Sequence, residues 1–230
     1  MGLKEGWDMI PPPPPIPKPE PPSKPLSVVE ISGKENPLSL EVIRLFNMGV
    51  TSHKQREMTE AILAYQRALE LDPSFVEAYN NLGILYQEIG DFEKALQNYQ
   101  KAIEINPKYD KAFNNVGILL HLRGETDQAI EAFQKVLALN PKHIESLINL
   151  GTLYKKKGFL EKALESYQKA LSLNPRHGET HYNLALLYEQ MGNRDQAAHH
   201  YEQFILLASG TYPELASRVR GHLQQIKPKR

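Results

Sequence analysis

The sequence contains no cysteine. Disulfides, thiolate nucleophiles and Cys-ligated zinc are therefore excluded. A surplus of charge is also missing: 27 Lys and Arg stand against 27 Asp and Glu, for a formal net charge of zero. Proteins that hold a nucleic-acid backbone carry a basic excess, so no nucleic-acid partner is expected. No apolar run approaches the roughly 20 residues that span a bilayer. Residues 1–10 lack the apolar stretch of a secretory signal. These absences predict a cytoplasmic chain, or a periplasmic or membrane-tethered one if an anchor lies upstream. The chain also lacks a G-x-x-x-x-G-K-[ST] phosphate loop, a G-x-G-x-x-G turn and an H-E-x-x-H helix. No catalytic residues, metal, cofactor or small-molecule substrate are expected, and the chain reads as a non-enzyme.

Proline is concentrated near the N-terminus, with five in a row from Pro11 to Pro15. Proline fixes φ and removes a backbone donor, so residues 11–25 should form polyproline II. Such a tract serves either as a stiff spacer or as a ligand for an aromatic-lined groove, and the spacer is favoured. Residues 1–41 are assigned to this tail, with Ser39 expected to cap the first helix.

Beyond the tail the chain repeats itself. Frames of 34 residues from Val42 align five copies without a gap: 42–75, 76–109, 110–143, 144–177 and 178–211. Position 8 is Gly49, Gly83, Gly117, Gly151 and Ala185. Position 20 is Ala61, Ala95, Ala129, Ala163 and Ala197. Position 24 is Tyr65, Tyr99, Phe133, Tyr167 and Tyr201. Small residues at 8 and 20 let two helices approach closely, and the aromatic fills the space beside them. Position 15 is Gly90, Gly124, Gly158 and Gly192, which suits a tight turn, but the first copy has Arg56 there. Asp-Pro or Asn-Pro pairs at positions 31 and 32 punctuate four of the copies. Each hairpin can bury its apolar face only by stacking on a neighbour.

This pattern resembles the tetratricopeptide repeat family, and the likeness covers residues 42–211. The resemblance implies an all-α, right-handed solenoid of tandem helix-turn-helix units, with first helices lining a concave groove. Residues 212–230 follow. Leu215, Val219, Leu223 and Ile226 recur at helical spacing, which predicts a capping helix over 213–226 and then a basic end.

On a helical wheel, positions 4, 7, 8 and 11 of each first helix fall on the core side. Positions 2, 5, 6, 9, 12 and 13 fall on the groove side. Position 6 is Asn five times: Asn47, Asn81, Asn115, Asn149 and Asn183, and position 5 adds Asn80 and Asn114. An amide offers one acceptor and two donors, enough to hold both polar groups of a peptide bond. The row resembles the asparagine ladder of O-linked N-acetylglucosamine transferase, which implies contact with a substrate backbone. Asn at this position also suits bonding between neighbouring repeats, and both uses stay open. Val50, Ile84, Ile118 and Leu186 at position 9 form an apolar strip that would either cover ligand side chains or pack between first helices. Phe46 and Tyr182 are candidate aromatic anchors, and Lys111 a candidate charged contact. A chaperone-type carboxylate clamp finds only Asn81 and Lys111 in register, so that ligand is not expected. His199 and His200 are adjacent in sequence and make a poor metal pair.

The expected function is a scaffold or adaptor that binds an extended peptide or partner protein in the groove. The alternatives are an assembly component using outer or terminal faces, including self-association, and the targeting domain of a larger or membrane-anchored system.

Overall fold

The computed structural model describes residues 37–226, and these contain eleven α-helices and no strand. The expected polyproline tract and the basic end lie outside the described residues. The chain divides into two compact units between Pro141 and Lys142.

The first unit holds three hairpins. They are α1 (Pro37–Lys54) with α2 (Met58–Leu71), α3 (Val76–Glu88) with α4 (Phe92–Ile105), and α5 (Asp110–Leu122) with α6 (Thr126–Leu139). The second unit holds α7 (Ile144–Lys156) with α8 (Leu160–Leu173), α9 (Gly178–Gln190) with α10 (Arg194–Ala208), and then α11 (Pro213–Ile226).

The second helices show how sequence sets the packing. In α4, Phe92, Ala95, Leu96, Tyr99 and Ala102 recur every three or four residues and face the core, while Glu93, Lys94, Lys101 and Glu104 face away. Asp91 caps the start by accepting from the Lys94 N–H at 3.1 Å. The turn before it is set by Gly90 at φ +85°. There the Asp91 N–H reaches the Tyr86 carbonyl at 2.9 Å. That closure needs a left-handed residue, which glycine adopts without a Cβ clash.

The first hairpin closes the same way without glycine. Arg56 sits at φ +65°, and the Glu57 N–H bonds the Ser52 carbonyl at 2.9 Å. The doubtful turn of the first repeat is therefore formed, with the strain carried by Arg56. Ser39 does not cap α1. The helix already begins at Pro37, whose fixed φ suits a first helical position, so Ser39 lies inside the first turn.

Within each of the first four hairpins the glycine at position 8 sits against the aromatic ring at position 24. A Cβ on Gly83 would lie 2.4 Å from Tyr99 Cε1, and one on Gly151 would lie 2.6 Å from Tyr167 Cε1. Tyr65, Tyr99 and Tyr167 are fully buried by this approach. Burying such a side chain contributes about 1.5–3 kcal/mol. In the first unit Phe46, Leu82, Leu85 and Leu119 join Tyr65 and Tyr99 in one core. In the second unit Tyr182, Tyr201 and Phe204 pack with Leu215, Val219, Leu223 and Ile226, so α11 covers the apolar side of α10.

Candidate binding face

The first helices α1, α3 and α5 of the first unit, and α7 and α9 of the second, carry the residues singled out above. In the first unit most amides are used internally. Asn81 is buried and points its Nδ2 at the Tyr65 hydroxyl at 3.5 Å, the long end of a hydrogen bond. Asn80 is buried too, and its Oδ1 accepts from Asn115 Nδ2 at 2.9 Å, one repeat further on. Asn47 and Asn114 are half-buried and also have partners within the protein. Ile84 and Ile118 are half-buried. Lys111 is exposed, with Nζ 6.0 Å from the centre of the Tyr109 ring.

Three residues assigned to the groove side belong to the core instead. Phe46 packs against Tyr65 and Phe75, with ring centres 5.6 and 4.8 Å away. Tyr182 packs against Tyr201 and Phe204, and Val50 is fully buried. The rings at position 5 meet residues of their own repeat, so the buried side of a first helix is wider than the four wheel positions assigned to it. His53 at position 12 is buried against the next repeat. Its Nε2 lies 3.0 Å from Glu88 Oε2 in the next repeat.

The second unit differs. Asn149 and Asn183 are half-buried, and neither side chain has a hydrogen-bond partner among the described residues. Leu186 is half-buried beside them and packs on the unit's core. Thr152 donates its hydroxyl hydrogen to the Ile148 carbonyl at 3.0 Å and accepts from the buried Tyr167 hydroxyl at 2.9 Å. Glu189 accepts from the Tyr201 hydroxyl and sits 2.7 Å from His222 Nε2, which ties α9, α10 and α11 together. Lys155 is half-buried, and loss of solvent alone holds its ammonium below the usual lysine range.

Two side-chain networks escaped the sequence reading. One is Tyr201–Glu189–His222. The other is the contact between His181 and His200, whose Nδ1 atoms lie 2.9 Å apart. His200 also stacks on Tyr188. The histidine pair is split over two helices, so adjacency in sequence gave no signal of it. Among the described residues no three His, Asp or Glu side chains are grouped to hold a metal ion. No described helix is long and apolar enough to cross a membrane.

Family comparisons agree with this architecture. Profiles described as "Tetratricopeptide repeat" match residues 76–109, 110–143, 132–165 and 178–211. A profile described as "TPR repeat" matches 49–90 and 153–192. Together the matches run unbroken from 49 to 211. No curated protein matches the chain. Among solved structures, MamA is 26% identical at a TM-score of 0.65, covering 76% of this chain and 96% of its own. PilF of Pseudomonas aeruginosa is 20% identical at a TM-score of 0.68, covering 85% of this chain and 96% of its own. YrrB, described as a TPR protein with an unusual peptide-binding site, is 23% identical at 0.63, covering 80% and 93%. The last two likenesses establish the fold alone. With stacked hairpins, a position-8 glycine against a position-24 ring and matched profiles from 49 to 211, the chain belongs to the tetratricopeptide repeat family, a fold of protein–protein interaction scaffolds that is typically non-catalytic.

Proposed function

We propose that the chain captures an extended segment of a partner protein along the first-helix faces. The observation that carries this reading is the set of half-buried side chains on the first helices of each unit: Ile84 and Ile118 with Asn47 and Asn115 in the first, and Leu186 with Asn149 and Asn183 in the second. Half-buried apolar side chains flanked by amides suit a peptide, which needs both apolar cover and backbone hydrogen bonds. Each hydrogen bond contributes about 0.5–1.5 kcal/mol net, so affinity must come from several together.

Peptides selected on the intact chain from a randomised display library test the reading. Their affinity should fall in Ile84→Glu, Ile118→Glu or Leu186→Glu and stay constant in Leu63→Glu on α2. Selected peptides that respond only to second-helix substitutions would overturn it.

A second reading has one observation behind it. Leu206 on α10 is 75% exposed, the most open large apolar side chain among the described residues. That suits an outer-face contact in an assembly or with a second copy. Sedimentation of wild type against Leu206→Glu separates this reading from the first.

A further inference from the structure

We propose that the turn joining α7 to α8 docks on an anionic membrane surface, with Phe159 entering the interface and Lys157 and Lys162 meeting the lipid phosphates. This surface is a hairpin turn rather than the first-helix row, and it stands or falls independently of the peptide reading.

The turn departs from its counterparts at one residue. Position 16 is Glu57, Asp91, Glu125 and Asn193 in the other four copies, all polar, and Phe159 here. In the second hairpin Asp91 accepts from the Lys94 N–H at 3.1 Å and pairs with Lys94 Nζ at 2.8 Å. Phe159 takes the same place in the fourth and makes no side-chain cap. The equivalent lysine, Lys162, has no ion pair among the described residues. Its Nζ lies 5.6 Å from the centre of the Tyr154 ring and 5.5 Å from that of Phe159. A phenylalanine here therefore gives up a cap and a counter-charge together. Folding gains little in return: Leu160 packs on the unit's core, but Phe159 is 45% exposed.

The charge around this ring is of one sign. From residue 146 to 164 the chain holds Lys155, Lys156, Lys157 and Lys162 against Glu161 alone. Lys157 Nζ sits 5.4 Å from the centre of the Phe159 ring, and both Lys157 and Lys162 are exposed. A Cβ built on Gly158, at the apex, would meet nothing within 4 Å, so the turn stands clear of the protein. The next turn follows α9, which packs beside α7, and brings Met191 at 38% exposure with Arg194 and Asp195.

An exposed ring between two ammonium groups fits a partner that is anionic outside and apolar beneath. A bilayer with anionic headgroups offers both: aromatic side chains settle at the headgroup level, and nearby lysines are drawn to the negative surface. An acidic peptide would need a groove to order it, and a projecting turn supplies none. One ring and a few lysines give weak, reversible binding that salt screens.

The test sediments the full chain with vesicles of phosphatidylcholine alone and with vesicles containing about one third phosphatidylglycerol. Binding should appear with the anionic vesicles only and fade as salt is added. Lys157→Gln with Lys162→Gln should lower the partition coefficient about tenfold or more. Phe159→Asp copies the second hairpin, so the melting temperature should hold or rise while vesicle binding is lost. Phe159→Trp in a Trp7→Phe chain should shift its emission to the blue on anionic vesicles.

Equal binding to both vesicles, or binding to neither, overturns the proposal. So does anionic binding that ignores Phe159→Asp, or a Phe159→Trp emission that vesicles leave in place. Capture of an acidic peptide by these residues without vesicle binding overturns it as well.

Discussion

The Asn115 amide donates to the Asn80 side-chain oxygen across 2.9 Å, joining α5 to α3. Asn80 is 5% exposed, so this acceptor has little water to fall back on. Asn115→Ala should therefore cost about 1–3 kcal/mol, the penalty for stranding a buried polar group. Asn149→Ala, at the same repeat position, should stay within about 0.5 kcal/mol of wild type because its amide has no partner among the described residues. Urea unfolding of the two variants side by side checks the contrast. Equal losses would mean that the two residues play the same structural part.

Gly83 and Tyr99 set the spacing of the second hairpin. A Cβ at Gly83 would meet the ring at 2.4 and 2.5 Å, and the ring is fully buried with no room to retreat. Gly83→Ala should destabilise by about 1–3 kcal/mol through overpacking. The fifth copy already carries Ala185 against Tyr201, so a hairpin can accept the methyl group when the rest of its packing is built around it. The urea midpoint measures the cost, and an unchanged midpoint would show that the hairpin spacing is soft.

Arg56 is the only described non-glycine residue with positive φ. Four other hairpin turns use glycine at the equivalent place. Arg56→Gly should raise stability by about 1 kcal/mol by removing the left-handed strain. The 3.8 Å contact from Arg56 to Glu88 is on an exposed side chain and offsets little of this. A thermal melt at moderate salt reads the gain. A fall in melting temperature would mean that the Glu88 contact outweighs the strain.

The His181–His200 contact predicts acid lability. His181 Nε2 lies 3.1 Å from the Pro175 carbonyl and donates to it, which leaves Nδ1 as the acceptor for the His200 Nδ1–H. Both rings are neutral in this arrangement. Burial, then the neighbouring His181 and His199, holds His200 down at about 4, and burial also lowers His181. The unfolded chain takes up these protons near 6.5, well before the folded one does. Stability from the pair is therefore complete above pH 6.5 and drains away as pH falls toward about 4. The melting temperature should drop across that window, and His200→Leu should flatten the drop. A variant with the wild-type slope would place the acid sensitivity elsewhere.

Much of this molecule is readable before folding. Gly83, Ala95 and Tyr99 at fixed spacing already state that two helices approach closely with a ring between them, and the structure builds that contact. The α11 residues Leu215, Val219, Leu223 and Ile226 likewise announce a covering helix. The binding face was less legible. Phe46, Tyr182 and Val50 fall on the outward side of an isolated wheel, yet all three are buried, the two rings against residues of their own repeats. The five position-6 asparagines look alike in sequence. What divides them is what stands opposite: a Tyr65 hydroxyl for Asn81, the Asn80 oxygen for Asn115, and no acceptor or donor among the described residues for Asn149 and Asn183.

The sequence by itself determined the repeat, the helices and the hairpin contacts, because these rest on residues a few turns apart whose size and spacing act locally. Only the tertiary structure decided which polar side chains are spent inside the protein and which remain open. Pairings such as Asn115 with Asn80, His181 with His200 and Glu189 with His222 join different helices, and a hydrogen bond depends on ångström-scale distance that no local pattern encodes.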